Sequence, residues 1–393
     1  MTTINKDSVI DVAFQLRWNS EHATHTEGYA ARGVNLWRDW LPDSVLKELL
    51  GKHSWENAAV YFNPGELFGK NGRPLQLDRR QFSLAPRNGR FYPKGRLSGL
   101  PGVFPQNIKP FRIVGLNNGH MSVDMNHPLA ERRLGLSMTI GEISSKEKER
   151  GGTSVDWVGL LTEGPGMQAR WQDTPTDFFS DTPFQRQDER EDGIFYEKPR
   201  LVHHLDLTAR DMVADVYRRF VKDGMQVLDL MSSWATHLPE GVNPATVSGV
   251  GMNQAELEQN PRLTDFHVHD LNNDPGLPYV NEAFDVVLCT VSVEYLTRPL
   301  DVLRDVARVL KPGGVFVVTF SNRWFPPKVV RIWQELHEFE RVGLVMEYFL
   351  QSDAFENLGT YSMRGLPRPD GDKYARELAF SDPVYAVWGT RKG

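Results

Sequence analysis

Between Met225 and Phe320, five short apolar runs alternate with stretches of helical spacing, and this alternation limits the fold more than anything else in the chain. The runs are "MQVLDLM", "ATVSGVGM", "DFHVHDL", "FDVVLCTV" and "GVFVVTF". "LTARDMVADVYRRFV", with helical spacing, precedes the first, and "QAELEQN" and "PLDVLRDVARVL" separate later ones. Strands this apolar are buried on both faces, and strands joined through helices run parallel. The C-terminal half is therefore expected to be an α/β fold with a mostly parallel sheet. Ligands of such sheets lie beyond the carboxyl ends of the strands.

Those ends carry polar residues in order. Asp229 lies just before the first turn, Asn253 ends the second strand, Asp270 and Leu271 end the third, and Thr290 to Ser292 end the fourth. Together they offer what a nucleoside needs: acceptors for ribose hydroxyls and an exocyclic amine, and an apolar wall for the base. The first turn is unusual. Turns at this position carry glycines so that backbone can approach a ligand, whereas this chain has Met231, Ser232, Ser233, Trp234 and Ala235. His267 and His269 alternate along the third strand beside Asp270, a spacing common by chance, and no metal is expected. Cys289, the only cysteine, excludes an internal disulfide and reads as a small core residue.

A chain of 393 residues has room for two cores. From Lys146 to about Asp192 the sequence turns polar and rich in Gly, Pro, Asp and Thr, which is linker chemistry, although Trp157, Trp171, Phe178 and Phe179 suggest that it clings to a surface. The mixed-sign run Ser144–Gly152 reads as a solvated connector. Expected boundaries are 1–145, 146–194 and 195–393. A net charge of −6 argues against nucleic acid as partner. The negative mean hydropathy, and the lack of any apolar run near 18 residues, argue against a membrane span. With no secretory pattern at the start, a cytoplasmic protein is expected.

The successive motifs "VLDL", "GVGMN", "HDLN", "FDVVLCTVSVEYL" and "ARVLKPGGVFVVTFSN" resemble those of class I S-adenosylmethionine-dependent methyltransferases of the type 11 group, over about Phe195 to Lys392. The resemblance implies a Rossmann-like, seven-stranded, mostly parallel sheet whose last antiparallel strand is "SDPVYAVWGTRK". It also implies S-adenosyl-L-methionine as cofactor, touched by Asp229, Ser232, Asn253, Asp270, Leu271 and Thr290. A narrower set of bacterial, cyanobacterial and plant methyltransferase-like proteins is similar through "PRLVHHLD", "LMSSWATHLP", "NPRL" and "SNRWFPPKVVRIW". In that set a Ser-Ser-Trp turn stands in for the glycines, with Ser232 and Ser233 offering hydroxyls. His203 and His204 precede the first helix and are candidate bases, and Arg200 is a candidate for binding an acidic substrate group. Glu294 and Tyr295 follow the fourth strand, where the family's substrate-facing residues often sit. "SNRW" and Tyr348 are expected at the mouth.

In the N-terminal half, "FRIVGLNNGHMSVDMNHPLAERRLGLSMTIGEI" reads as a hairpin around Asn-Asn-Gly followed by another strand. Its "VDMNHPLA" resembles the SlyD-like branch of FKBP-type peptidyl-prolyl isomerases, an α+β fold with an antiparallel sheet, a helix and an insertion in the flap. "LPDSVLKELLGKHSWENAAVYFNPGELFG" resembles that family's helix, strand and flap, with the insertion between Lys70 and Pro110. The resemblance places Val45 where the pocket floor is aromatic and Phe68 where the flap has a tyrosine. Both departures favour a module that docks a protein or organises a dimer over an isomerase. The expected function is methyl transfer to a small molecule, or to a protein recruited by the N-terminal module. The alternative is a folding helper whose methyltransferase fold does not catalyse.

Overall fold

The computed structural model describes residues 3–70, 72–145 and 151–393. Lys146 to Arg150 of the charged connector lie outside the described residues. The chain gathers into two compact units, each discontinuous in sequence. The first comprises residues 1–27, 31–183 and 336–347, and the second 28–30, 184–335 and 348–393.

In the first unit, β1 (Ser8–Asn19), β2 (Ala23–Asn35), β3 (Asn57–Phe62) and β8 (Leu134–Ser145) lie in the order β2-β1-β8-β3. Pairing of β1 with β8 and of β8 with β3 is antiparallel. Buried and less buried residues alternate along β1, the period of a sheet with one face on a core. Helix α1 (Asp43–Leu49) buries Val45 and Leu49. Between β3 and β8 in sequence come β4 (Leu75–Asp78), β5 (Phe91–Pro93), β6 (Pro110–Asn117) and β7 (His120–Asp124), which form their own sheet in the order β4-β7-β6-β5. Leu77, Phe82, Phe111, Ile113 and Val123 form a separate core beneath it. The β6–β7 turn is the expected Asn-Asn-Gly hairpin, with Gly119 at φ +83° where a side chain is strained. After residue 150 the polar segment packs: α2 (Trp157–Thr162) is capped by Asp156, the Trp157 indole N–H donates to Asp39, and Phe178 is buried.

In the second unit, α3 (Asp192–Tyr196) and α4 (Leu207–Arg218) precede the five expected strands. These are β9 (Gln226–Leu230), β10 (Thr246–Gly251), β11 (Asp265–Val268), β12 (Phe284–Thr290) and β13 (Leu310–Phe320), with α5 (Gln254–Glu258) and α6 (Pro299–Val309) between them. Helices α7 (Arg331–Glu335) and α8 (Glu338–Ser352) and strands β14 (Phe355–Arg364) and β15 (Val384–Arg391) follow. The strand order is β11-β10-β9-β12-β13-β15-β14. The first five are mutually parallel, and β15 is antiparallel to both neighbours. The result is a large mixed sheet of Rossmann-like type. It extends past the seven strands expected, because β14 is followed by β2, of which Gly28–Ala30 belongs to this unit. The approach there is close: a Cβ on Gly28 would lie 2.5 Å from the Met363 sulfur.

Sequence explains why these elements form. Apart from Gln226, β9 is buried throughout, as the centre of a parallel sheet requires. Helix α6 starts with proline at its first position and buries Val302, Leu303, Val306 and Val309, one face of a 3.6-residue repeat. Strand order reverses between β9 and β12, which are adjacent in the sheet although β10 and β11 lie between them in sequence. That crevice, at the carboxyl ends of the strands, is where a ligand fits. No helix among the described residues is long and apolar enough to cross a membrane.

Candidate active site

One pocket opens at this switch point, and ten of the residues proposed from sequence line it: His203, His204, Asp229, Ser232, Ser233, Asn253, Asp270, Leu271, Thr290 and Tyr295, whereas Glu294 is buried outside it. Arg200, Met231, Trp234, His237, Glu256, His269 and Phe325 also line it. Parallel strands deliver their carboxyl ends to one edge, so residues far apart in sequence meet there.

Asp229 is the buried anchor of the first turn. Ser232 Oγ and Thr236 Oγ1 each donate to its Oδ2 at 2.6 Å. Burial nevertheless dominates, and pushes the carboxyl up to about 6 against the pull of those two hydroxyls. The turn has no glycine, and Met231 takes a left-handed backbone with φ +56°. Its neighbour Ser232 donates its backbone N–H to Val250 O at 2.7 Å. The glycine that close approach demands is on the next strand instead. A Cβ on Gly251 would stand 2.2 Å from the Ser232 carbonyl oxygen, so the turn lies directly against β10.

The hydroxyls expected to face a ligand are used inside the protein. Ser232 serves Asp229, and Ser233 Oγ donates to Glu256 Oε2 at 2.6 Å. Asn260 reinforces the turn by donating to Ser233 O at 2.8 Å and Thr236 Oγ1 at 3.0 Å. Asn253 also differs from expectation. Its side-chain oxygen caps α5 by accepting from Glu256 N–H at 3.1 Å, and its amide nitrogen donates to Tyr196 O and Glu197 O at 2.8 and 3.0 Å. Negative charge beside the second strand comes instead from Glu256, whose Oε1 accepts the Arg200 backbone N–H at 2.6 Å. Sequence reading missed Glu256 because it lies one turn into the helix rather than at the strand end.

On the third strand, Asp270 Oδ1 accepts the backbone N–H groups of Asn272 and Asn273, and Leu271 is buried as an apolar wall. Thr290 Oγ1 shares a hydrogen with the buried Tyr217 hydroxyl at 2.5 Å. Val291 follows at φ +40°, a strained conformation for a β-branched residue at a pocket wall.

The segment from Arg186 to Leu205 forms the opposite wall. The buried Lys328 ammonium donates to Arg190 O at 2.6 Å and lies 3.0 Å from Asp192 Oδ1. Burial raises Asp192, but hydrogen bonds from Arg186, Asn272 and Lys328 outweigh it and leave the carboxyl below its ordinary value. His203 packs on the Trp234 ring at 4.5 Å, and His204 meets Phe325 edge-on at 5.0 Å. Burial lowers both histidines, helped by the charge of Arg210 on His203 and of Arg200 on His204, so both are neutral near pH 7. His237, unremarked in the sequence, is pushed down to about 4 by burial. The Tyr295 hydroxyl accepts the Phe325 N–H at 2.8 Å and is held well above its ordinary value by burial and Glu294, so it stays protonated. This suits hydrogen-bond donation and rules it out as a base near neutral pH.

Other expectations resolve differently. Tyr348 is 1% exposed and lies in the core, away from the pocket. None of Ser321, Asn322, Arg323 and Trp324 lines the pocket, whereas Phe325, which follows them, does. His267 meets the Tyr279 ring while His269 Nε2–H donates to Asp274 O at 2.8 Å, so the two do not converge. Among the described residues no group of three or more His, Cys, Asp or Glu is placed to hold a metal ion. Cys289 is buried in β12, its thiol raised by burial.

Residues 233–318 match the family model described as "Methyltransferase domain". A ubiquinone/menaquinone biosynthesis C-methyltransferase UbiE of Ruegeria sp. (strain TM1040) is 36% identical over 73 residues, 18% of this chain and 28% of that protein. A phthiotriol/phenolphthiotriol dimycocerosates methyltransferase of Mycobacterium tuberculosis (strain ATCC 25177 / H37Ra) is 35% identical over 101 residues, 24% of this chain and 36% of that protein. The chain thus spans about a third or less of the length of these relatives. Among solved structures, a SAM-dependent methyltransferase from Aquifex aeolicus aligns at 17% identity and a TM-score of 0.31, covering 45% of this chain and 88% of that one.

Proposed function

We propose that the chain is an S-adenosylmethionine-dependent methyltransferase, with a small molecule as the acceptor. The observation that carries this is the convergence of three acidic groups, Asp229, Glu256 and Asp270, with the apolar Leu271 along the carboxyl edge of the sheet. The residues fit the cofactor. The turn presses against Gly251 with no space for a Cβ, leaving its backbone along the pocket wall. Carboxylates suit a cationic sulfonium and ribose hydroxyls alike. Asp270 and Leu271 would hold the base, Glu256 the ribose, and Asp229 with the Met231–Ala235 turn the amino-acid end. When bound, the cofactor supplies a methyl group already activated for displacement.

The chain's own residues then position and desolvate. The ring wall of Trp234, Tyr295 and Phe325 excludes water from the acceptor's side. His204 is neutral and meets Phe325 edge-on, so it can take a proton from an acceptor O–H or N–H. His203 is held by Trp234 at the rim. An enclosed pocket with a few polar groups suits a small acceptor better than a protein side chain.

The first unit is read as a SlyD-like FKBP module that docks a partner rather than isomerising prolines. Val45 is fully buried where an aromatic floor is required, and Phe68, lacking a hydroxyl, stacks on His127 at 3.7 Å.

Calorimetric titration of the full chain with S-adenosylmethionine and with S-adenosylhomocysteine tests the reading. Micromolar binding of both is expected. Absence of binding by either would overturn it.

A further inference from the structure

Among the described residues, the pocket contains one permanent cation with no carboxylate at ion-pair distance. Among the described residues, Arg200 is the only lysine or arginine lining it. Each lining carboxylate, by contrast, already has hydrogen-bond donors or a cation. Asp229 has Ser232 and Thr236, Glu256 has Ser233 and the Arg200 N–H, Asp192 has Arg186 and Lys328, and Asp270 has the 272 and 273 N–H groups. Among the described residues no carboxylate lies within 4.0 Å of the Arg200 guanidinium. One of its N–H groups donates to Phe195 O at 2.9 Å.

The surroundings of that guanidinium are aromatic. Its carbon lies 4.5 Å from the Phe195 ring centroid, 5.3 Å from Phe325 and 5.7 Å from Tyr196. Phe325 also carries His204 on its edge and Tyr295 on its face. Ring faces stabilise a guanidinium and fix its plane, yet leave its edge donors for a ligand. A fixed fork beside flat apolar surface is matched by a carboxylate on a planar body, because two parallel N–H···O bonds form without reorganising the arginine.

Resting on the methyltransferase reading, we infer that the acceptor is a small planar carboxylate, with the carboxylate held by Arg200 and the body against Phe325. Arg200 is on this view a specificity-determining residue, and His204 faces the rest of the acceptor across the same ring.

Binding measured without turnover tests this. With the full-length protein saturated in S-adenosylhomocysteine, benzoate is titrated calorimetrically against its neutral isostere benzamide. Benzoate is expected to bind at least tenfold more tightly, and Arg200→Gln to abolish that preference. Arg200→Lys restores it only in part, because an ammonium lacks the fork. Equal binding of benzoate and benzamide by the unaltered protein overturns the assignment, as does an Arg200→Gln protein that keeps the preference. The accompanying titration with S-adenosylhomocysteine alone separates the two levels: if it binds and carboxylate selectivity is absent, the acceptor class is wrong while the methyltransferase reading stands. If it does not bind, the reading and the acceptor assignment fall together.

Discussion

Asp229 is a carboxyl group that the fold makes reluctant to ionise. Its proton is lost at about 6 in the folded chain, against 3.8 for an ordinary aspartate. The unfolded chain therefore gives up this proton first. The group's stability contribution is full below the unfolded value and is lost as pH rises through the folded one. About two units correspond to roughly 3 kcal/mol. The protein without cofactor should lose about that much of its unfolding free energy between pH 4 and pH 7 from this residue. Asp229→Asn should flatten the profile, and parallel urea midpoints in the two proteins across that range would show the effect to be absent. The positions of such residues were readable, since a strand's carboxyl end is fixed by where its apolar run stops. Their bonding was not. Ser233 meets the Glu256 carboxylate, and Asn253 meets the Tyr196 and Glu197 carbonyls, through partners 23 to 57 residues away that no local pattern encodes.

Among the elements, α5 shows how little local propensity contributes. Five residues cannot hold a helix unaided, so the Asn253 cap and its two bonds to the Tyr196 and Glu197 carbonyls secure both the helix and the wall opposite. Asn253→Asp keeps the capping oxygen but loses both donors and sets a charge against two carbonyls. Each lost bond is worth about 1 kcal/mol. Amide hydrogen exchange around residues 194–204 should accelerate at least tenfold while α5 itself stays protected, and unchanged exchange there would contradict the role assigned to the side chain. Strands β9 to β13 were legible because each apolar run ends at a turn signal. Helix α8 was not. Its residues from Arg341 to Phe349 are buried all round, so no polar face marks the helical period.

At the scale of the molecule, the division of the chain was only partly legible. The polar stretch after residue 150 looks like a linker, yet through Pro183 it is counted in the first unit, and Leu336–Glu347 returns to that unit from far along the chain. Composition reports solvation, and a returning helix has the same composition wherever it docks. A chain of residues 195–393 alone lacks Gly28–Ala30 and carries Phe339, Val342, Leu344 and Val345 without the unit that buries them. Each such side chain is worth about 1.5–3 kcal/mol. This truncated chain is expected to aggregate or melt without a cooperative transition, whereas the full chain melts cooperatively. Cooperative melting of the truncated chain at the full chain's temperature would count against this account.

The same returning segment sets a schedule for synthesis. Domains ordinarily fold in turn as they leave the ribosome, the N-terminal one first. Here the first unit is short of twelve residues until Glu347 has emerged, by which time every strand of the parallel sheet has already been made. The two units therefore reach completion within one short interval, after residue 347 has been made, and the nascent chain carries both unfinished until then.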